Sequence, residues 1–180
     1  MNSWNDSDYR KAFAEGHKRN QYVAGLIAAK GIWVECPPLQ FAKNKDEINH
    51  FTQNETDVRT RAGTLEVKGQ GRLFTWDVDS FPYETQIIDT VESWVGKREK
   101  PIAYVMVCNT NMNCVVISTK TQPEWQKRKL FDRLKRRTFE FYVAESGVIV
   151  SFASLLTYLN ARDKGWKIAP DRNPEDGIFG

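Results

Sequence analysis

The stretch Thr56-Asp57-Val58-Arg59-Thr60-Arg61-Ala62-Gly63-Thr64-Leu65-Glu66-Val67-Lys68-Gly69 reads as two short strands folded back on themselves around Ala62-Gly63. Closed there, the hairpin sets Asp57 opposite Lys68 and Arg59 opposite Glu66. Side chains alternate along a strand, so these four share one face, and Leu65 and Val67 take the other. Diagonal neighbours on such a pair lie about 7–8 Å apart at the alpha carbon, within reach of one small cation. Two carboxylates and an ammonium then converge on one point, a set suited to metal-assisted phosphodiester hydrolysis. A hard divalent cation takes oxygen ligands from one or two carboxylates. It polarises a phosphate and acidifies a bound water, while a lysine beside it offsets charge on the phosphoryl oxygens. The plainer reading of the same pattern is a solvated sheet face with two cross-strand ion pairs, each worth about 0.2–1 kcal/mol.

A chain of 180 residues with 41% hydrophobic and 27% charged side chains fits one ordinary domain with a real core. The reading places that domain at residues 1–163. From Lys164 on, the density of Pro, Asp, Asn and Gly predicts a flexible tail to residue 180. No apolar run approaches a membrane span, and the polar start is no signal peptide, so a cytoplasmic protein without membrane contact is expected. Cys36, Cys108 and Cys114 form no Cys-x-x-Cys pair, which argues against a zinc site or a disulfide framework and predicts reduced strand or core thiols. The only histidines are His17 and His50 and no Gly-x-Ser-x-Gly elbow exists, which disfavours a nucleophile-and-histidine hydrolase.

Net charge is +3, but it is unevenly placed: Lys120 to Arg137 holds eight basic residues against Glu124 and Asp132. This stretch points to a polyanion, with Lys127, Arg128, Arg133, Arg136 and Arg137 as the candidate nucleic-acid contacts. Pro123 to Arg136 is expected as a basic helix with Trp125, Leu130, Phe131 and Leu134 on its apolar side.

A first helix runs from a Ser7 or Asp6 cap to about Lys30, with an apolar stripe from Tyr9 to Ile27 and Glu15 at its margin, one turn before Arg19. Ile32 to Glu35 reads as a short strand; Lys43 to Asn54 has no clear pattern. Asp77 and Asp79 lie in a loop whose composition predicts a turn. Tyr83 to Thr90 alternates as a strand with Gln86 and Ile88 on one face, although Gln86 to Val95 also admits a short helix. Pro101 to Cys108 is the most apolar segment, predicting a central strand covered on both faces, with Cys114 to Ser118 as its hairpin partner. Phe139 to Ala144 predicts another strand, and Ser151 caps a helix bearing Phe152, Leu155, Leu156 and Leu159.

The order helix, strands with Asp57 ahead of Glu66-Val67-Lys68, helical link and apolar strand resembles the PD-(D/E)XK nuclease superfamily. The resemblance spans roughly Tyr9 to Cys108. It implies an α/β fold, a central mixed sheet flanked by helices with an αβββαβ core, and a Mg2+-dependent endonuclease on DNA in which Mn2+ substitutes. It implies Asp57 and Glu66 as metal ligands with the Val67 carbonyl as a third, Lys68 as the catalytic lysine, and Glu15 as a helix acid near the metal. Gln86 stands where some members carry a functional glutamine, but the Gln-x-x-x-Tyr pattern is absent, and Thr56 replaces the family's proline. Many such nucleases act as homodimers. The alternative is a non-catalytic nucleic-acid-binding or assembly protein using the basic segment and exposed aromatics such as Trp125.

Overall fold

Side chains alternating along one fully buried strand divide the interior of this chain in two. The computed structural model describes residues 6–41, 56–132 and 136–165. Its elements are α1 (Asp6–Ala28), β1 (Val34–Glu35), β2 (Val58–Thr60), β3 (Gly63–Gln70), β4 (Thr85–Thr90), α2 (Val91–Gly96), β5 (Ala103–Cys108), β6 (Cys114–Ser118), β7 (Gln126–Asp132), β8 (Arg137–Glu145), β9 (Ile149–Ser151) and α3 (Phe152–Asp163). The fold is α/β: one sheet has the order β1-β2-β3-β5-β6-β9 and a second β4-β8-β7. Among the described residues only β3 and β5 pair in parallel; the crossover between them carries β4 and α2, and β4 is donated to the second sheet.

All six residues of β5 are fully buried. Ala103, Val105 and Val107 join Val23 and Ile27 of α1 and Leu155 and Leu159 of α3 in one core. Tyr104, Met106 and Cys108 join Ile88, Trp125, Tyr142 and Ala144 in a second core beneath the small sheet. The layers are therefore helices, large sheet and small sheet, and the central strand has the two-sided cover its composition predicts. Leu65 and Val67 of β3 belong to the first core, so alternation turns Glu66 and Lys68 toward the small sheet. In α3 the Ser151 hydroxyl accepts from the Ser154 amide, as its capping position requires. Cys108 and Cys114 are buried thiols in strands. Among the described residues no helix is long and apolar enough to cross a membrane.

The basic segment is not a helix. Thr119–Glu124 forms a 3-10 turn and Gln126–Asp132 is β7, paired along its length with β8. Its apolar positions fit helical spacing only loosely, and the aromatic β8 offers a partner that outweighs local propensity. Trp125 is 7% exposed, packs against Trp94, Tyr104 and Tyr142, and donates from Nε1 to Thr121 Oγ1 at 2.9 Å. It is a core residue; the exposed aromatic of β7 is Phe131, at 62%. Arg133, His50, the stretch Lys43 to Asn54, and the tail beyond residue 165 lie outside the described residues.

Candidate active site

The β2–β3 turn is centred one residue earlier than its sequence suggests, on Arg61-Ala62 and not on Ala62-Gly63. Thr60 pairs with Gly63 and Val58 with Leu65, leaving Arg61 and Ala62 as the loop. Gly63 has φ +139°, and a Cβ there would come within 2.7 Å of Ile102 Cγ2, so only glycine closes this turn unstrained. The register differs by two residues from the expected one. Arg59 faces Thr64, not Glu66, and the same alignment carried one residue further brings Asp57 opposite Glu66, not Lys68. An even slip keeps every side chain on its face, so the acids and the lysine still gather. Arg59 instead meets Glu35 of β1 at 3.6 Å, both half exposed.

Asp57 sits just ahead of β2 with both oxygens engaged. Oδ2 accepts from the Val67 amide at 2.7 Å and Oδ1 from Asn20 Nδ2 of α1 at 2.9 Å. Glu66 Oε1 meets Lys68 Nζ at 2.8 Å and its Oε2 meets Lys97 Nζ at 3.2 Å. Lys97 also reaches Asp89 Oδ2 at 3.4 Å, and the Tyr104 hydroxyl donates to that oxygen at 3.1 Å. The ammonium of Lys68 stands 5.8 Å from the Tyr104 ring centre. Beside Asp57 opens a cavity of about 450 Å³ lined by Gly16, His17, Asn20, Pro37, Thr56, Arg59 and Val67 among others.

Burial and the Glu66 charge push the Asp57 carboxyl up to about 6, against the opposing pull of the Val67 amide, Lys68 and Asn20. Burial alone would raise Glu66 as well, but Lys68 and Lys97 outweigh it and hold that carboxyl below the usual glutamate range. Burial likewise disfavours a charged Lys68, yet Glu66 and Asp89 overcome it and keep the ammonium firmly protonated. Asp57 is thus the under-compensated acid of the group. Its carboxylate, that of Glu66 and the Val67 carbonyl are hard oxygen donors, which suits Mg2+ or Mn2+ rather than a soft metal. Among the described residues no group of three or more His, Cys, Asp and Glu side chains is assembled as a metal cage.

Two expected members stand apart from this group. Glu15 is exposed and does not line the cavity; the residue of α1 that touches Asp57 is Asn20, five positions on and so about 140° further around the helix. Gln86 is 5% exposed and donates to the Ile87 carbonyl at 2.8 Å. Asp77 and Asp79 behave as a turn, Asp77 Oδ1 accepting from the Asp79 amide at 3.1 Å. Conversely, Asp89 and Lys97 escape a reading of the sequence. Strict alternation would set Asp89 on the outer face with Ile87, which is 45% exposed. A bulge between Ile87 and Asp89 breaks the β4–β8 ladder, and the Asp89 side chain is only 9% exposed. Lys97 gives one signal, its place in the basic cluster Lys97, Arg98 and Lys100 ahead of the apolar strand. Compared with known proteins, the chain matches no family model and no curated protein.

Proposed function

We propose that this chain is a Mg2+-dependent endonuclease of the PD-(D/E)XK kind, acting on DNA in the cytoplasm. The observation that carries the reading is the gathering of Asp57, Glu66 and Lys68 at the open end of one hairpin, where Asp57 also lines a cavity of about 450 Å³. Asp57, Glu66 and the Val67 carbonyl would hold the ion, which when bound supplies Lewis-acid polarisation of the phosphate and a water of lowered pKa. Glu66 and Asp89 hold Lys68 charged, so it would donate hydrogen bonds that orient the attacking water and offset charge growing on the phosphoryl oxygens. Asn20 and the Val67 amide fix the Asp57 carboxylate in one orientation, and Lys97 does the same for Glu66.

A second reading keeps the fold and the nucleic-acid contacts without hydrolysis. What favours it is that all four oxygens of Asp57 and Glu66 already have partners within the chain. Incubation of supercoiled, linear and branched DNA with Mg2+ or Mn2+ separates the two. Cleavage should fall roughly 10²–10³-fold in Lys68→Ala. Equal cleavage by wild type and variant overturns the catalytic assignment, and binding without cleavage under any condition supports the second reading.

A further inference from the structure

Strand β8 has two neighbours for only part of its length. It pairs with β4 from Phe141 to Glu145, whereas β7 accompanies it from Arg137 to Val143. Beyond Phe141, among the described residues, β8 pairs with β7 alone, and the helix α2 lies beside residues 137–140 across a shallow pocket. A two-stranded ribbon with so little cover is marginal in water. Among the described residues, β7 and the start of β8 carry the basic residues Lys127, at the base of the ribbon, and Arg128, Lys129, Arg136 and Arg137, all exposed, against Asp132 and Glu140. Phe131 is 62% exposed on one face, and on the other the Arg137 guanidinium covers the Phe139 ring at 4.1 Å. Exposed cations alternating with an uncovered aromatic match the regularly spaced phosphates of a duplex and the apolar thymine methyl groups on its major-groove base edges.

We propose that the β7–β8 ribbon is an arm lying in the major groove of duplex DNA to one side of the cleavage point. The major groove is about 12 Å wide and admits a two-stranded ribbon. The inference rests on the nuclease reading for the identity of the partner. Its reach follows from the register: Tyr142 pairs with Asp89, so the arm starts level with the charged cluster. From there Arg137 is five residues along β8, which at about 3.3 Å per residue is roughly 17 Å. At a rise of about 3.4 Å per base pair, that is about five base pairs of flanking duplex. Lys127, Arg128, Lys129 and Arg137 contact phosphates, and Phe131 rests on base edges.

The test uses fluorescence anisotropy in EDTA, where nothing is cut, on duplexes of about 20 base pairs and on a series with one flank shortened. The Lys129→Gln/Phe131→Ala/Arg137→Gln variant should raise Kd roughly tenfold and lower the log–log salt slope by about 2, one phosphate for each lost charge. Wild-type affinity should fall steeply once a flank drops below about five base pairs, and the variant should lose this dependence. With Mg2+, the variant should show a raised KM at unchanged kcat. Unchanged Kd, slope and flank dependence, in a wild type that binds and cuts, overturn the arm and spare the nuclease. Arm-dependent binding by a wild type that never cuts keeps the arm and overturns the nuclease. Preference for RNA of the same length, or for an acidic peptide, overturns the duplex-DNA assignment.

Discussion

Two charged regions of this molecule use the same residue types to opposite ends. Around Glu66 and Asp89, each carboxylate meets a lysine within 3.4 Å, and the side chains of Lys97 and Asp89 are 10% and 9% exposed. On the β7–β8 ribbon, five exposed cations stand beside Asp132 and Glu140 among the described residues. The first region holds its charges out of water, so each depends on its partner and the fold depends on both. The second leaves its charges hydrated, and they contribute to stability almost nothing but bear directly on association. Charge count alone would rank the ribbon first; burial reverses the ranking for the fold.

Substitution can break this contrast, and the deepest cut should come at Lys97. Lys97→Met removes the cation shared by Glu66 and Asp89, and urea unfolding should register a loss of about 3 kcal/mol. A loss below about 1 kcal/mol would place the cluster in the same screened regime as the ribbon.

Asp57 should respond in the other direction. A carboxyl whose folded value rises from 3.8 to about 6 contributes stability that is full below pH 3.8 and lost as pH climbs through 6. Asp57→Asn removes that loss. The new amide oxygen can still accept from Val67 N–H, and Asn20 can turn its own amide to accept in return. Free of metal at about pH 8, the Asp57→Asn variant should therefore be more stable than wild type by about 1–3 kcal/mol in thermal melting, with the difference vanishing below about pH 4. A lower melting point than wild type in the same alkaline buffer would mean that the charged hydrogen bonds outweigh burial.

The smallest effect belongs to the arm. Arg128→Gln with Lys129→Gln should shift unfolding free energy by less than about 0.5 kcal/mol. A larger destabilisation, read by thermal melting, would show that these cations support the sheet itself.

Much of this is legible in the sequence wherever the signal is local. The apolar run of β5, the alternation of Gln86 and Ile88 in β4 and the Ser151 cap all describe neighbours along the chain, and each has its expected surroundings. The hairpin is legible in parity but not in register, because the position of the turn decides the pairing while the face depends only on whether the slip is even. Asp89 is hidden because a bulge depends on the partner strand, about fifty positions later. The basic segment misleads for a related reason: its strand state comes from β8, not from its own propensity. Asn20 takes the place expected of Glu15 because helix phase relative to a distant sheet edge is fixed by packing alone.

The route of the chain through its two sheets also sets the sequence of assembly. The β2–β3, β5–β6 and β7–β8 hairpins join near neighbours, and such closures take microseconds. The β4–β8 ladder that flanks Asp89 pairs Thr90 with Phe141, a closure over a long stretch of chain and correspondingly slow. During synthesis, then, the ribosome releases the acid-and-lysine hairpin well before the strand that locks its neighbours into place, and the nascent chain carries those ionic groups in water until its second half emerges.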